Sequence, residues 1–431
     1  MKITLLALGS RGDVQPSVAL GKGLAARGHT VRVLAGTNFH PWIVKHGLET
    51  APSSLDMQDI MRTEWGVAWA EKGTNPLLAS RAVARIHEQF GWALTEDILH
   101  ACEGAELILS SFTSDFQACS IAEATGALHI SVPLQPSALA TRHGPSSLAA
   151  VVPGKDSVLN QLFAKAMVEP TIWRWTGANV NRLRRERLRL PEHTRSTAFE
   201  ALRRTPTLHG CSAHIAPRAP DWPADWQVTG YWFLDEAEPY APPESLTRFL
   251  DAGEPPVCIG FGSMPASDPA ALTRMFIDAI SRSGRRAILL SGWAGLGGVP
   301  LPDTFFQIDS APHDWLFPRV AAVVTHGGAG SVAASLRAGR PTLVVPHMSD
   351  QIYWGRRVAE LQLGPSPIPR PRLRADRLAE AIALTSDPAI RRNAEAMGAK
   401  IRAEDGVTTA VDAIEGIIAA RRPEGSSARG R

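Results

Sequence analysis

Residues 321–345 read AAVVTHGGAGSVAASLRAGRPTLVV. The run 321–325 is short, apolar and rich in β-branched side chains, which predicts a buried strand. His326-Gly327-Gly328-Ala329-Gly330 is a turn, residues 331–338 carry a helical pattern, and Gly339 stops it before a second apolar run at 342–345. Strand, turn, helix and strand in this order make a βαβ unit, which implies a parallel sheet covered by helices. The same rhythm extends outward. Strands are expected at 257–261 and 286–290, with a helix at 269–283 between them. In the first half the expected strands are 3–8, 30–35, 107–110 and 128–132, and a helix at 17–27 is closed by Gly28. A chain of 431 residues exceeds what one core usually serves. The expected fold class is therefore α/β, with two doubly wound parallel-sheet domains at 1–234 and 246–404. The acidic, proline-containing stretch 235–245 links them, a helix at 405–422 is placed to pack back on the first domain, and 423–431 is a flexible tail.

The turn is where chemistry is expected. It sets the orphan N–H groups of a helix N-terminus just beyond the carboxyl end of a parallel strand, a place that favours an anion. Glycine lets the backbone close on a phosphate, and Ser331 can cap the helix or donate its hydroxyl. Two other readings of the same residues stand beside this one. One is a plain tight turn. The other is a dinucleotide fingerprint, since residues 328–333 fit GxGxxA, although the strand that should end in an acidic residue ends instead at Pro346-His347.

Bulk composition is that of an ordinary soluble globular protein, 44% apolar and 20% charged. A net charge of +3 gives no global field for nucleic acid. Cys102, Cys119, Cys211 and Cys258 have no CxxC spacing, which suits reduced thiols in the cytoplasm better than a disulfide framework or zinc. The apolar start of the chain stops at Gly9 and meets Arg11 and Asp13, so a first strand is expected rather than a signal peptide. No stretch is long and apolar enough to span a bilayer. No cluster has metal-ligand spacing, so no obligatory metal is expected.

Four motifs occur in order: residues 9–16 (GSRGDVQP), 260–264 (GFGSM), 312–317 (PHDWLF), and 326–331 followed by Asp350-Gln351. Together they resemble the family 1 inverting glycosyltransferases of GT-B fold, in particular the bacterial and fungal sterol-type and antibiotic-type enzymes. The resemblance is strongest over 257–357 and the first 36 residues. It implies that the second domain holds a nucleotide sugar as co-substrate. By matching position, His326, Gly328, Gly330, Ser331 and Ser263 contact the diphosphate, with Arg11 and Gly12 added from the first domain. Pro312 and His313 lie in the segment that reads the base, Asp350 and Gln351 hold sugar hydroxyls, and Trp293 is a substitute for a stacking Trp that the family carries where this chain has Ser310. A ribose-gripping Glu of plant-type members is Ala334 here. The donor is a UDP-sugar or a dTDP-sugar.

Transfer to an alcohol needs a base for the acceptor proton. Asp13, expected in the loop after the first strand, matches the family position, and its other reading is a charge complementing a helix N-terminus. Asp115 is a second carboxyl, able to raise the pKa of Asp13 by repulsion or to touch acceptor. Trp65 and Trp69, in the variable region, are expected to line a hydrophobic acceptor cleft, and the acceptor is a hydrophobic small molecule such as a polyketide, sterol-like or aromatic compound. The basic stretch 182–189 is a solvated amphipathic helix or a weak contact for anionic membrane. Two alternatives accompany transfer: a nucleotide-sugar epimerase of the same fold, and a non-catalytic nucleotide-sugar or aglycone binder.

Overall fold

The structure, a computed structural model, describes residues 1–136, 139–142, 156–234 and 240–421. The tail at 423–431 and residues 235–239 of the proposed linker lie outside the described residues.

Seven short strands form the first sheet: β1 (Lys2–Leu6), β2 (Thr30–Leu34), β3 (Glu49–Thr50), β4 (Leu107–Ser110), β5 (Leu128–Ser131), β6 (Thr207–His209) and β7 (Trp226–Val228). All pair in parallel, in the order β3-β2-β1-β4-β5-β6-β7. The second sheet comprises β8 (Val257–Gly260), β9 (Ala287–Leu290), β10 (Phe305–Ile308), β11 (Ala322–Thr325) and β12 (Thr342–Val344), also parallel, in the order β10-β9-β8-β11-β12. Strands such as Leu107–Ser110 and Ala287–Leu290 are buried at every residue, as expected for sheets covered on both faces. Each sheet reverses direction of winding once, at β1/β4 and at β8/β11. Ligands of open α/β sheets bind beyond the carboxyl ends of strands at such points.

Two departures from the expected elements matter for the site. The first helix runs Arg11–Ala26, six residues earlier than expected, so Asp13 is on its first turn rather than in a loop. The turn helix runs Ala329–Arg337 with Gly328 as N-cap, so Ser331 is the third helical residue and does not cap.

Apolar contacts cross between the domains at three places. Helix Gly406–Arg421 packs on the first-domain core through Ala410, Val411, Ile414 and Ile418. Arg27 binds Asp412 and Glu415 at 2.7 and 2.9 Å on its surface. Residues Cys211, Ile215 and Tyr231 join a second-domain cluster with Leu336, Val344 and Trp354. Finally, helices Met57–Arg62 and Glu64–Lys72 of the first domain place Met61 and Ala70 in one apolar cluster with Met264 and Met348. Glu71 there accepts from the Ser267 backbone N–H at 2.9 Å.

Candidate active site

The turn 326–330 is built around one buried ring. A Cβ on Gly328 would stand 2.5 Å from His326 Nε2, and one on Gly262 would stand 3.0 Å from His326 Cε1. Gly327 has φ +94°, and a Cβ there would meet Val344 Cγ1 at 2.4 Å. Gly327 and Gly328 are thus required by backbone conformation and by the His326 ring. Gly330 is different: a Cβ on it would meet only Gly12 of the other domain, at 3.6 Å from its Cα and 3.7 Å from its O. Helices Arg11–Ala26 and Ala329–Arg337 therefore face each other across the cleft by their N-termini. Both helix ends bring unpaired N–H groups and a positive dipole end, so an anion between them is favoured twice over.

His326 is buried, and burial pushes its pKa down to about 4, with His313 adding to the shift. It is neutral at physiological pH and offers a hydrogen bond to a phosphate rather than a charge. His313 is held down to about 4 as well, first by burial and then by the Arg11 guanidinium. Its ring stacks on Phe317 at 4.2 Å, below Pro312, which is the N-cap of its short helix. Arg11 thus reaches electrostatically from the first domain to the second. Its guanidinium also lies 5.2 Å from the Trp42 ring centre. The Trp293 backbone N–H donates to Gly262 O at 2.9 Å, which fixes its loop beside Ser263.

Asp350 and Gln351 sit at the start of helix Gln351–Glu360. Trp354 Nε1 donates to Asp350 Oδ2 at 2.8 Å, leaving Oδ1 available to hydroxyl donors. Burial pushes Asp350 up to about 6, and the charge of Asp13 adds to it. Gln351 has a second duty. Its Oε1 accepts from the backbone N–H groups of His347 and Met348 at 2.8 and 3.1 Å, and its Nε2 donates to Met264 Sδ at 3.5 Å, which leaves one amide proton.

Asp13 Oδ2 accepts from Ser10 N–H at 2.8 Å and from Ser10 Oγ at 3.3 Å. One carboxylate oxygen therefore pins the helix start, the role its position on a first turn suggested. Burial raises its pKa to about 6. Asp115 plays no part in that shift: its own charge is felt by Cys119, and the carboxyl that responds to Asp13 is Asp350. Repulsion between Asp13 and Asp115 is thus replaced by an electrostatic link across the domains.

Two adjoining recesses open at the carboxyl ends of β1, β4 and β5. The smaller, about 410 Å³ counting space open to solvent, is lined by Leu6, Leu8, Asp13, Ser111, Phe112 and Gln135 among others. The larger, about 630 Å³ on the same measure, shares Phe112 and Gln135 with it and has walls of Phe116, Leu139, Ile172, Phe199, Leu202 and Trp226. Neither Trp65 nor Trp69 lines these recesses. Trp69 packs against the second-domain cluster around Met264 and Met348, and Trp65 lies 5.9 Å beneath the Arg85 guanidinium. Both were expected at the acceptor because large aromatics crowd that part of the chain. The helix that carries both, Glu64–Lys72, docks on the other domain through Trp69 and Ala70.

The basic stretch 182–189 is committed within the fold. Arg182 stacks on Trp92 at 3.8 Å and pairs with Glu186, and buried Arg184 pairs with Glu123 at 2.7 Å. Arg185 binds Glu192, and Arg187 binds Glu96. Arg182, Arg184, Arg185 and Arg187 thus each have an acidic partner. Among the described residues no helix is long and apolar enough to cross a membrane.

The comparisons with known proteins agree with this geometry. The family model for the glycosyltransferase family 28 N-terminal domain matches residues 3–95, and that for the erythromycin biosynthesis protein CIII-like C-terminal domain matches 294–416. Sterol 3-beta-glucosyltransferase UGT80B1 of Arabidopsis thaliana is 34% identical over 428 residues, covering 96% of this chain and 67% of the plant protein. The chain belongs to the GT-B glycosyltransferases of family 1. Within that family, the Sterol 3-beta-glucosyltransferase of Emericella nidulans is 36% identical over 434 residues, 96% of this chain. The chain spans only 30% of the length of that fungal relative. Solved structures share the fold at lower identity. The kitacinnamycin glycotransferase has a TM-score of 0.70 at 19% identity, covering 96% of this chain and 98% of its own. VinC, in complex with dTDP, has a TM-score of 0.62 at 19% identity, covering 97% and all of its own chain.

Proposed function

We propose that the protein transfers a hexose from a nucleoside diphosphate sugar to a hydroxyl of a hydrophobic small molecule, with inversion at the anomeric carbon. The observation that carries this reading is the opposition of Gly12 and Gly330. Two helix N-termini meet at one place that favours an anion, and a mixed polar and apolar recess containing Asp13 opens beside it and adjoins a mainly apolar one.

In this reading the diphosphate lies between the two helix starts, near Ser263, His326, Gly328, Gly330 and Ser331, with Arg11 and Gly12 closing from the first domain. Pro312 and His313 support the base, and Trp293 flanks it. Asp350 and the remaining amide proton of Gln351 bind sugar hydroxyls, a carboxylate accepting and an amide donating. The acceptor hydroxyl sits against Asp13 Oδ1. As its oxygen attacks the anomeric carbon, Asp13 takes the proton and the nucleoside diphosphate leaves into the paired dipoles. An α-linked donor gives a β-glycoside. Glucose is the favoured sugar, because Asp350 and Gln351 suit a fully hydroxylated ring and relatives are named 3-beta-glucosyltransferases. UDP-glucose and dTDP-glucose are the donors to compare, and a cytoplasmic setting suits either.

The test is nucleotide release from each donor with and without a 3β-hydroxysteroid. Acceptor-dependent release with formation of a β-glucoside is expected. Release that ignores the acceptor, or epimerised donor in its place, overturns the reading.

A further inference from the structure

The larger recess is mostly hydrocarbon, yet a carboxyl stands in its wall. Asp115 opens helix Asp115–Thr125 and lines the recess together with Ser131, Thr205 and Thr207. Ser110 Oγ donates to Asp115 Oδ1 at 2.6 Å, and Ser131 Oγ lies 3.0 Å from both carboxyl oxygens. Behind Ser110, His129 Nε2 is 2.7 Å from the same hydroxyl, and His129 Nδ1 is buried with no partner. The other lining hydroxyls are also committed: Thr205 donates to Ala201 O at 3.1 Å and Thr207 to Thr205 O at 3.0 Å. Every serine and threonine proton of this wall is thus given to a protein oxygen. Around Asp115 the polar wall is rich in acceptor oxygens and poor in hydroxyl protons to give, the lining amide of Gln135 standing at the junction with the smaller recess.

Such a wall discriminates. A purely hydrocarbon ligand end laid against a carboxylate strips its water and returns nothing, which is costly. A carbonyl brings a second acceptor to a place that needs a donor. A hydroxyl or ammonium group satisfies the open Oδ2 positions directly. The adjoining smaller recess holds Asp13, so the two carboxyls stand in neighbouring compartments joined at Phe112 and Gln135.

We propose that Asp115 is a second anchor for the acceptor, taking a hydrogen bond from a hydroxyl or ammonium group remote from the hydroxyl presented to Asp13. The preferred substrates are then elongated amphiphiles with an apolar body and a hydrogen-bond donor at each end. This rests on the reading of the recesses as the acceptor site.

The test compares three steroids by equilibrium titration of tryptophan fluorescence, Trp226 being in the recess wall. Androst-5-en-3β-ol has one hydroxyl, androst-5-ene-3β,17β-diol has two, and 3β-hydroxyandrost-5-en-17-one carries a carbonyl at the far end. The titration is made at pH 8, above the value of about 6 to which burial lifts Asp115. Wild type is expected to bind the diol at least about 10-fold tighter than either of the others, the worth of one hydrogen bond to a charged group. Asp115→Ala abolishes that preference. Asp115→Asn, which can still accept from Ser110 and Ser131 while presenting amide protons, moves the preference to the ketone. Donor binding, measured in parallel, is unchanged in both variants. The comparison is repeated with dodecan-1-ol and dodecane-1,12-diol, which removes dependence on steroid shape. Equal affinity of wild type for the members of both sets, or an equal loss for all ligands in Asp115→Ala, overturns the proposal. Incubation with UDP-glucose reads the other claim separately. Binding preference without transfer removes the proposed activity and leaves the anchor, and transfer without preference does the reverse.

Discussion

Replacing Gly330 by alanine separates a glycine kept for ligand from glycines kept for the fold. The new Cβ meets only Gly12, at 3.6 Å and beyond, which is ordinary van der Waals contact, and no left-handed backbone is involved. Alanine in a helix is favoured over glycine by about 0.5–1 kcal/mol. The free protein should therefore melt at the same temperature or about 1–3 °C higher. The methyl group, however, stands at the contact of the two helix N-termini, beside which the diphosphate is placed. Losing one charge-assisted hydrogen bond costs about 1.5–3 kcal/mol, or roughly 10–100-fold in donor affinity. Gly327→Ala is the contrasting control. Its positive φ and the 2.4 Å approach to Val344 Cγ1 should lower stability by about 2–4 kcal/mol. Thermal melts paired with calorimetric titration of UDP and dTDP read both quantities. If Gly330→Ala binds nucleotide as tightly as wild type, the diphosphate is not held at this turn and the donor assignment fails with it.

Other predictions follow from the carboxyls and the domain contact. Asp13→Asn should lower kcat/KM by about 10²–10⁴-fold while donor Kd stays unchanged, since general-base assistance is removed and Ser10 can still be held. In wild type, kcat/KM should fall tenfold per pH unit below about 6, because Asp13 must be ionised to accept the proton. A profile flat down to pH 4 excludes it as base. The same shift has a stability consequence. A folded pKa of about 6 against an ordinary 3.8 gives Asp13 a contribution that is fully present below pH 4 and lost as pH rises through 6. Asp13→Asn should therefore raise Tm at pH 8, with the gain vanishing near pH 4. Trp69→Ala should cost about 2–4 kcal/mol and weaken donor binding through the loop at Met264 and Met348, leaving acceptor KM unaltered. A selective rise in acceptor KM instead would return Trp69 to the acceptor cleft.

The donor turn was legible because its logic is local: strand, glycines and helix start lie within a dozen residues. The start of helix Arg11–Ala26 was not, because Pro16 reads as a boundary. Pro16 lacks only the N–H that would bond Gly12 O, and that carbonyl lies beside Gly330 instead. The strands β6, β7 and β10 are short pieces at or near sheet edges whose period of two has no room to show. The acceptor recess is the least local feature. Phe112, Phe116, Phe199 and Trp226 come from separate elements spread over more than a hundred residues and meet only in the fold. The placement of Trp65 and Trp69 outside these two recesses was not legible for the same reason, since aromatic density does not say which domain a helix will dock on. The Asp115, Ser110 and His129 cluster likewise needed neighbouring strands β4 and β5 to bring it together.

Helix Gly406–Arg421 follows the second sheet yet packs on the first-domain core, so the chain returns across the cleft near residue 405 and ties the two bodies a second time. A body tied to another at one point can spin as well as swing. Tied at two, it keeps a single easy axis, the line through both ties. Any opening and closing of the cleft would then follow a door-like rotation that returns Gly12 and Gly330 to the same register. Cutting the Arg27 ties to Asp412 and Glu415 would loosen the second attachment, and the precision of that return, rather than the strength of either domain, is what would suffer.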